Sequence, residues 1–434
     1  MPHLEAARAH IRERIAPVKP LLQAVEGLDE MFEKCFMNTL DTTVQETAED
    51  TFVITGDIRA MWLRDSTTQV LHYLRFADDP DVDALLRGVM ARQAKNILLD
   101  PYANAFNKEP SDYKPFDDTP RASDWVWERK YEVDSLCFPV LLAHRYLKAT
   151  GRADHLTDMF LEALRTIVDV FREEQRHEDS PYRFQRSHCP PSDTLENEGR
   201  GTPVGYTGMT WSGFRPSDDA CRMGYLVPSN LFAVQSLTQI AELAERVGEA
   251  ELAGEAKALA GEIREGIERY AVIRHEDFGE MYAYEVDGLG GHVLMDDANV
   301  PGLLSLKWLG ICGKDDPRYR NSRAFALSAA NPFFYEGKYA RGIGSPHTPA
   351  GCVWPIALCV QAMTAEDLDE TVDCLRMLLR THAGTGFMHE SFDPDRPEVF
   401  TRSWFAWANS MFGETLYRLY EAGQLEETMR RLKA

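Results

Sequence analysis

Acidic residues in two widely separated segments stand among aromatic and turn-forming residues and not on the exposed face of a helix. Asp218 and Asp219 follow the sequence FRPS, and Glu390 lies within FMHESF. Two carboxyl groups that meet in a cleft can divide acid–base work, since one can protonate a leaving oxygen while the other activates water. This division of work suits the hydrolysis of a glycosidic bond, so we expect the two segments to meet at one site.

The residues alone leave the division of roles open. An acid must stay protonated near neutral pH, so desolvation or the adjacent carboxylate should raise the pKa of whichever aspartate serves. Consecutive side chains of an extended segment point in opposite directions, so either Asp218 or Asp219 could be the acid while the other binds hydroxyls or caps amides. Glu390 must be ionised to act as a base, and His389 could favour that form or bond a carbonyl. A purely structural role for the paired aspartates is the alternative.

Two kinds of helical segment alternate along the chain and would position these loops. Amphipathic runs with a period of 3.6 residues lie near 20–40, 82–99, 155–176, 249–270, 316–330 and 365–381. More apolar runs lie near 66–76, 134–149, 229–247, 300–309, 354–363 and 403–421. Short connections lead from each apolar run into the next amphipathic run, and long connections lead back. The pattern predicts an all-α (α/α)6 barrel, with six inner and six outer helices in one domain over residues 1–434.

The predicted inner helices all begin near the same end of the barrel, where the long connections emerge. Each opens on a polar or proline start signal, such as Asp65 or Asp134, which capping would explain. Several aromatic and arginine side chains crowd these starts: Trp62, Arg64, Trp211, Arg215, Trp354 and Trp404. Aromatic faces stack on sugar rings while planar polar groups bind hydroxyls, so this end of the barrel is the expected site.

Substrate contacts are predicted mainly for Arg64 and Asp65, a fork of donors next to two acceptors. The predicted substrate-binding residues are Trp62, Arg64, Asp65, Trp211, Arg215, Asp219, Asp297, Asn299, His347 and His389. The alternative is an ionic network of Arg64 and Asp65 that only orders the barrel mouth. For any single tryptophan, packing of the wall is the simpler interpretation.

Composition narrows the class of partner. The net charge of −22 disfavours binding to nucleic acid or to an anionic membrane surface. Eight cysteines without a C-x-x-C pair predict reduced thiols in a cytoplasmic protein, and neither a signal-peptide pattern nor an 18-residue apolar run is present. No oligomeric state is predicted.

Common cofactor and metal motifs are missing from the sequence. There is no H-E-x-x-H, no G-x-S-x-G and no phosphate-binding loop that ends in Lys-Ser or Lys-Thr, and the pair His188–Cys189 has no companion ligands at zinc spacing. We therefore expect neither a metal nor a cofactor.

Seven sequence blocks in a fixed order resemble glycoside hydrolase family 125 over residues 30 to 420. They are DIRAMWLRDS (57–66), DPYANAFN (100–107), WVWERKYE (125–132), TWSGFRPSDD (210–219), MDDANVP (295–301), GSPHTP (344–349) and MHE (388–390). The resemblance implies an (α/α)6 barrel and a metal-independent exo-α-mannosidase that favours α-1,6 linkages and inverts the anomeric centre. It also implies Asp218 as general acid, Glu390 as general base and a mannose-containing oligosaccharide as substrate.

Other functions remain open because a fold does not fix chemistry. An (α/α)6 barrel could also be a glucosidase, a trehalase-like hydrolase or a sugar epimerase. A non-catalytic helical scaffold or a glycan-binding protein is the alternative from another class, although such a protein has little use for paired loop acids above an aromatic pocket.

Overall fold

Helices dominate the computed structural model, which describes residues 3–433. The α-helices are α1 (His3–Ile15), α2 (Lys19–Leu22), α3 (Leu28–Thr42), α4 (Leu63–Thr68), α5 (Pro80–Leu99), α6 (Val133–Thr150), α7 (Asp158–Glu173), α8 (Glu196–Gly199), α9 (Val227–Val247), α10 (Ala250–Tyr270), α11 (Leu306–Leu309), α12 (Pro317–Ala326), α13 (Pro355–Thr364), α14 (Leu368–Thr381), α15 (Ala406–Glu421) and α16 (Leu425–Lys433). Short 3₁₀ segments occupy Ala16–Val18, Leu71–Phe76, Glu174–Asp179 and Pro191–Asp193.

Each predicted helical run contains helix, but two of the inner runs are shorter than their periodicity suggested. The first is broken into α4 and a 3₁₀ segment at Leu71–Phe76. The fourth is helical only in α11, because Pro301 and Gly302 interrupt its beginning. There the buried Asp296 carboxylate accepts the backbone amides of Leu303 and Leu304 at 2.7 and 2.9 Å.

Side-chain caps begin four of the amphipathic helices, although not α3 or α10, and the observed helix bounds correct the predicted inner helix starts. Helices α5, α7, α12 and α14 begin at side-chain caps, as where Asp79 accepts the amides of Asp81 and Val82. Within residues 3–433, helices α4, α6, α9, α13 and α15 begin without a side-chain cap bond. Asp65 and Asp134 were predicted to open α4 and α6, but these helices begin one or two residues earlier. Both carboxylates therefore lie in a first turn and are free for other contacts.

Contacts between helices follow the expected alternation. Among the apolar helices, α4 contacts α6, α6 contacts α9, α9 contacts α11, α11 contacts α13, α13 contacts α15, and α15 contacts α4. The amphipathic α3, α10 and α14 pack against α15, α9 and α13 in turn. One apolar cluster extends through these interfaces from Ala7 to Met429. Among the described residues, no helix is long and apolar enough to cross a membrane.

Short strands in the connections are the main departure from the all-α prediction. They are β1 (Val44–Glu46), β2 (Thr51–Val53), β3 (Met61–Trp62), β4 (Ala105–Phe106), β5 (Asp118–Thr119), β6 (Val126–Glu128), β7 (Gln185–Arg186), β8 (Tyr225–Leu226), β9 (Val272–His275), β10 (Gly279–Tyr282), β11 (Glu285–Val286), β12 (His292–Val293), β13 (Phe334–Glu336), β14 (Arg341–Ile343), β15 (Ser391–Phe392) and β16 (Phe400–Thr401). They pair antiparallel as β1–β2, β3–β4–β6, β5–β7, β8–β11–β12, β9–β10, β13–β14 and β15–β16. Strands of two to four residues are too short for an alternating pattern to be recognised in the sequence.

Candidate active site

A polar cavity of about 190 Å³ opens where the long connections meet the starts of the apolar helices. Its walls come from segments far apart in the chain, and aromatic and charged side chains alternate around it. The lining residues are Thr55, Ile58, Trp62, Arg64, Asp65, Pro216, Ser217, Asp218, Asn299, His347, Trp354, Glu390, Arg402, Phe405 and Trp407. Both predicted catalytic carboxylates are therefore at one cavity.

Asp218 lies at the tip of a tight turn. The turn is closed where Phe214 bridges Ala220 and where the amide of Arg215 donates to the carbonyl of Asp219 at 2.8 Å. Asp218 has φ 68°, a left-handed conformation that Asp tolerates better than most residues. The turn leaves the Asp218 side chain 21% exposed at the cavity.

Arg64 holds Asp218 from the start of α4. One guanidinium nitrogen, Nη2, donates to Asp218 Oδ1 at 3.1 Å, and Nη1 donates to Glu132 Oε2 at 2.6 Å. Burial raises the pKa of Asp218, but Arg64 and a hydrogen bond with Glu132 outweigh burial, so the pKa lies below its usual value. This lowering of the Asp218 pKa is opposite to the rise expected for a general acid. The reason is that the Arg64 cation, and not Asp219, is the dominant charged neighbour.

Glu390 and Arg402 come together because β15 pairs with β16. The amide of Glu390 donates to the carbonyl of Thr401 at 3.3 Å, and Arg402 follows that strand with φ 44°. Arg402 Nη1 lies 3.6 Å from Glu390 Oε1, while its Nε donates to Asp57 Oδ1 at 2.9 Å. Arg402 therefore ties the Glu390 carboxylate to a second loop, and this arginine was not among the predicted site residues.

Asp65 and His347 are charged groups whose pKa values are shifted at the cavity. Burial raises the pKa of Asp65 to about 6, although Arg64, with Nε 3.6 Å from Asp65 Oδ2, opposes the shift. Burial lowers the pKa of His347, but the hydrogen bond from its Nδ1 to Asp219 Oδ1 at 3.1 Å more than compensates, and the pKa rises to about 9. At neutral pH the cavity therefore presents an imidazolium beside its carboxylates.

Asn299 reaches the cavity through Asp297, which lies behind it. Asp297 Oδ1 accepts the Asn299 side-chain amide at 2.9 Å and its backbone amide at 3.0 Å. Ser345 donates to the other oxygen of Asp297 at 3.1 Å. Asp297 therefore supports Asn299 and does not itself line the cavity.

Four other predicted substrate contacts also lie outside this lining. Trp211 is buried and stacks on His177 with ring centroids 3.4 Å apart. Arg215 donates to Glu285 at 2.6 Å and, with Asp219, borders an adjacent cavity of about 330 Å³. His389 stacks on a neighbouring phenylalanine, with ring centroids 3.7 Å apart. Nearness in sequence to a site residue did not determine where these side chains point.

Several lining residues were not among the predicted substrate contacts. Trp407 and Phe405 come from the start of α15, and Trp354 from the start of α13. Among the described residues, the indole nitrogens of Trp62 and Trp407 and the hydroxyl of Ser217 have no hydrogen-bond partner. Buried donors without partners are costly, so these atoms are available to a polar ligand.

No group of three or more His, Cys, Asp and Glu side chains within residues 3–433 is arranged to hold a metal ion. All eight cysteines are free thiols, and Cys221 is the one nearest to Asp218 in the sequence.

A polar cavity at the ends of helical pairs, with two carboxylates on separate loops, defines a glycosidase-like site. The model of the family described as metal-independent alpha-mannosidase (GH125) matches residues 26–417. The chain belongs to glycoside hydrolase family 125 and is an α-mannosidase. This confirms the resemblance drawn from the seven sequence blocks.

Two relatives are similar over nearly the whole chain. A structure of a metal-independent α-mannosidase from Streptococcus pneumoniae, in a non-productive complex with α-1,6-mannobiose, is 42% identical with a TM-score of 0.91, covering 97% of this chain and 98% of that chain. The Schizosaccharomyces pombe protein called meiotically up-regulated gene 157 protein is 39% identical over 95% of this chain and 86% of its own length.

A bacterial glucoamylase complexed with acarbose is similar in fold alone. Its TM-score is 0.58 at 14% identity, and the match covers 93% of this chain and 58% of that chain. The helix-rich architecture is thus shared with other sugar hydrolases.

Proposed function

We propose that the protein is an exo-acting mannosidase that releases terminal α-1,6-linked mannose with inversion of the anomeric centre. The observation that carries this proposal is that Asp218 and Glu390, from distant segments, line one cavity together with aromatic and polar side chains. The α-1,6-mannobiose bound by the S. pneumoniae relative supports the choice of linkage.

In this mechanism Asp218 protonates the leaving oxygen and Glu390 draws a proton from the attacking water. Inversion needs room for that water, so we expect the two carboxyl groups to be about 6.5–9.5 Å apart in the substrate complex. Arg402 holds Glu390 in place from one side. The water attacks the face opposite the leaving group, so the first product is β-mannose.

The terminal mannose is proposed to be held by Asp65, Asn299 and His347. An ionised Asp65 accepts two sugar hydroxyls, while the His347 imidazolium donates to a third. The unpartnered nitrogens of Trp62 and Trp407 offer further donors, and their rings offer apolar faces.

The size of the cavity supports exo action. Drug-sized ligands occupy pockets of roughly 300–1,000 Å³. A cavity of about 190 Å³ is below that range and suits one sugar ring. The rest of the oligosaccharide would extend outwards from it.

We further propose a closed (α/α)6 barrel that forms a single catalytic domain. The contacts that run from α4 through α6, α9, α11, α13 and α15 back to α4 support closure, and the continuous apolar cluster supports one domain. A cytoplasmic location is proposed from the eight free cysteines, and a neutral glycan partner rather than a nucleic acid from the net charge of −22.

The test is to incubate the protein with α-1,6-, α-1,3- and α-1,2-linked mannobioses, with and without EDTA, and to follow the first product by proton NMR. We expect mannose from the α-1,6 isomer in the presence of EDTA, with β-mannose formed first. Loss of activity on chelation that Zn²⁺ or Ca²⁺ restores would refute metal independence, and α-mannose as first product would refute inversion. An aryl α-glucoside serves as the control for a glucosidase.

A further inference from the structure

The candidate acid belongs to a buried cluster in which carboxylates outnumber cations. Arg64 contacts four of them: Glu132 at 2.6 Å, Asp134 and Asp218 at 3.1 Å, and Asp65 at 3.6 Å. Arg64, Glu132 and Asp134 are all less than 5% exposed. Water therefore cannot screen the repulsion among these carboxylates as it would at a surface.

Two further cations act on Asp218: protonated His347, which bonds to Asp219, and Lys130. Lys130 Nζ donates to the backbone carbonyl of Asp218 at 2.8 Å, but it also pairs with Asp193 and lies 3.6 Å from Glu128. Its charge is therefore already shared with two other carboxylates. Four ionised carboxylates around Arg64 would leave the cluster with uncompensated buried negative charge, so at least one of them retains a proton.

Glu132 is the carboxylate best placed to retain it. It is 1% exposed at the end of the loop before α6. Its Oε2 accepts from Arg64 and from Ser135 Oγ at 2.7 Å, whereas its Oε1 accepts, from the part of the chain that the structure describes, only a 3.2 Å bond from Asn104. The same Asn104 nitrogen lies 3.3 Å from Asp218 Oδ1, so one amide bridges the two carboxyl groups.

The ionisation behaviour of the pair agrees with this geometry. Burial raises the pKa of Glu132 well above its usual value, and the negative charges of Asp218 and Asp134 add to the rise against Arg64. The pKa of Asp218 moves the other way, since Arg64 and a hydrogen bond with Glu132 outweigh its burial. When two adjacent carboxyl groups hold one proton between them, the titration describes the pair and not either residue alone.

We propose that Glu132 is a positioning residue that shares one buried proton with Asp218 and supplies it when Asp218 acts as the acid. This inference rests on the proposed function, because it needs Asp218 to protonate the leaving group. The Glu132 O–H donates to Asp218 in the free enzyme. In the reaction the Glu132 proton moves to Asp218, which passes it to the glycosidic oxygen as the C1–O bond breaks, and water adds to C1 as Glu390 accepts one of its protons. The pair has then lost one proton, Glu390 has gained one, and exchange with solvent restores both.

Other ionisable groups also face this pair and set the field that it experiences. They are Arg64 and Asp65 of α4, Lys130 after β6, Asp134 of α6, Cys221 after the Asp218 turn, and His347 in the loop before α13.

The experiment is a pH profile of kcat/KM for Glu132→Gln. Glutamine keeps an acceptor for Arg64 and a donor for Asp218, but it cannot release a proton. Asp218 would then face the charge of Arg64 without a proton donor beside it. The pH at which kcat/KM declines on the alkaline side of the profile (the high-pH limb) should therefore fall by about one unit or more. Turnover of α-1,6-mannobiose at pH 7 should fall about tenfold or more, while an activated aryl α-mannoside, which needs little protonation, should be largely spared. Glu132→Asp should restore part of the wild-type limb.

Asp134→Asn is the matched control, since it also changes a buried carboxyl group that contacts Arg64 into an amide but leaves Glu132 and Asp218 together. We expect the limb to move clearly less than in Glu132→Gln. Equal shifts in the two variants, or an unmoved limb in Glu132→Gln, would overturn the proposal.

A spectroscopic measurement keeps the proposal testable if a variant fails to fold. Infrared spectra of wild-type protein at pH 7 should contain a protonated carboxylic acid band that moves when glutamate is labelled with ¹³C, and absence of such a band would refute the shared proton. Failure of the proposed function has a different signature, namely no mannose release by wild type or no leaving-group dependence in Asp218→Asn.

Discussion

Replacing Asp65 with asparagine should stabilise the fold while disabling the enzyme, and the two effects can be measured separately. Asp65 is 5% exposed, and burial raises its pKa from 3.8 to about 6 against the opposing charge of Arg64. Because the unfolded chain ionises this group more easily, ionisation costs the folded protein free energy. A shift of this size corresponds to about 3 kcal/mol at neutral pH.

The sign of the effect sets a pH window. The folded protein binds the Asp65 proton more tightly than the unfolded chain does, so its stability falls as pH rises from about 4 to about 6 and stays low above that. Asparagine is neutral at every pH, so the gain in Asp65→Asn should be full at pH 7 and vanish below about pH 4. For a chain of this length, unfolding entropy of roughly 2.1 cal/mol/K per residue makes the gain about 3 °C in Tm.

Thermal melts at pH 4 and pH 7 and steady-state kinetics on α-1,6-mannobiose test both effects. Loss of a charged acceptor costs about 1.5–3 kcal/mol per hydrogen bond, so kcat/KM should fall at least tenfold. Asp296→Asn is the control. Burial raises the pKa of Asp296 to about 7, but both of its oxygens accept backbone amides, and an asparagine would turn an NH₂ group towards one of them. It should therefore melt earlier than wild type. An Asp65→Asn variant that melts earlier at pH 7 while keeping near wild-type activity would refute the reasoning.

Three further predictions concern other residues of the cavity. Asp218→Asn should be partly spared on an activated aryl α-mannoside, whereas Glu390→Gln should lose roughly two to four orders of magnitude in turnover on every substrate; identical losses would contradict the assigned roles. Arg402→Met should lower kcat on the order of tenfold to a hundredfold whatever the leaving group, because it releases Glu390, and an unchanged kcat would exclude this positioning role. The bond to Asp219 stabilises protonated His347, a contribution that is present below about pH 6.5 and lost as pH rises through about 9, so wild-type Tm should fall across that range. His347→Gln should reduce this fall in Tm, and an equal dependence of Tm on pH in the variant would argue against the stabilising role of the bond.

The helical framework could be predicted because long periodic segments carry a strong signal. The 21-residue helices α9 and α10 agree with their predicted runs to within a few residues. The short strands could not be predicted, since pairing between β15 and β16 depends on two connections meeting in space. Glu390 and Arg402 meet through that pairing, so the sequence predicted the carboxylate but not its partner.

Side-chain direction limited the prediction of the site. Trp62, Arg64 and Asp65 lie at the cavity as predicted, because the first turn of an apolar helix points there. Trp211 belongs to the same block as Asp218 but turns into the wall, where it fills the space beside His177. Glu132 was part of a quoted block without an assigned role, since a glutamate ahead of a helix normally indicates exposure rather than complete burial.

Local irregularity marks the same cavity without any reference to relatives. Asp218 and Arg402 have φ values of 68° and 44°, and such conformations cost non-glycine residues about 1–3 kcal/mol each. Helix ends elsewhere, by contrast, follow ordinary rules, with Asp79 capping α5 and Gly151 ending α6 at φ 70°. Stability gained by regular capping and burial elsewhere can offset strain and buried charge at a site. Strained backbone at Asp218 and Arg402, crowded carboxylates and unpartnered donors coincide at one cavity, so the physical argument for this site does not depend on the family relationship.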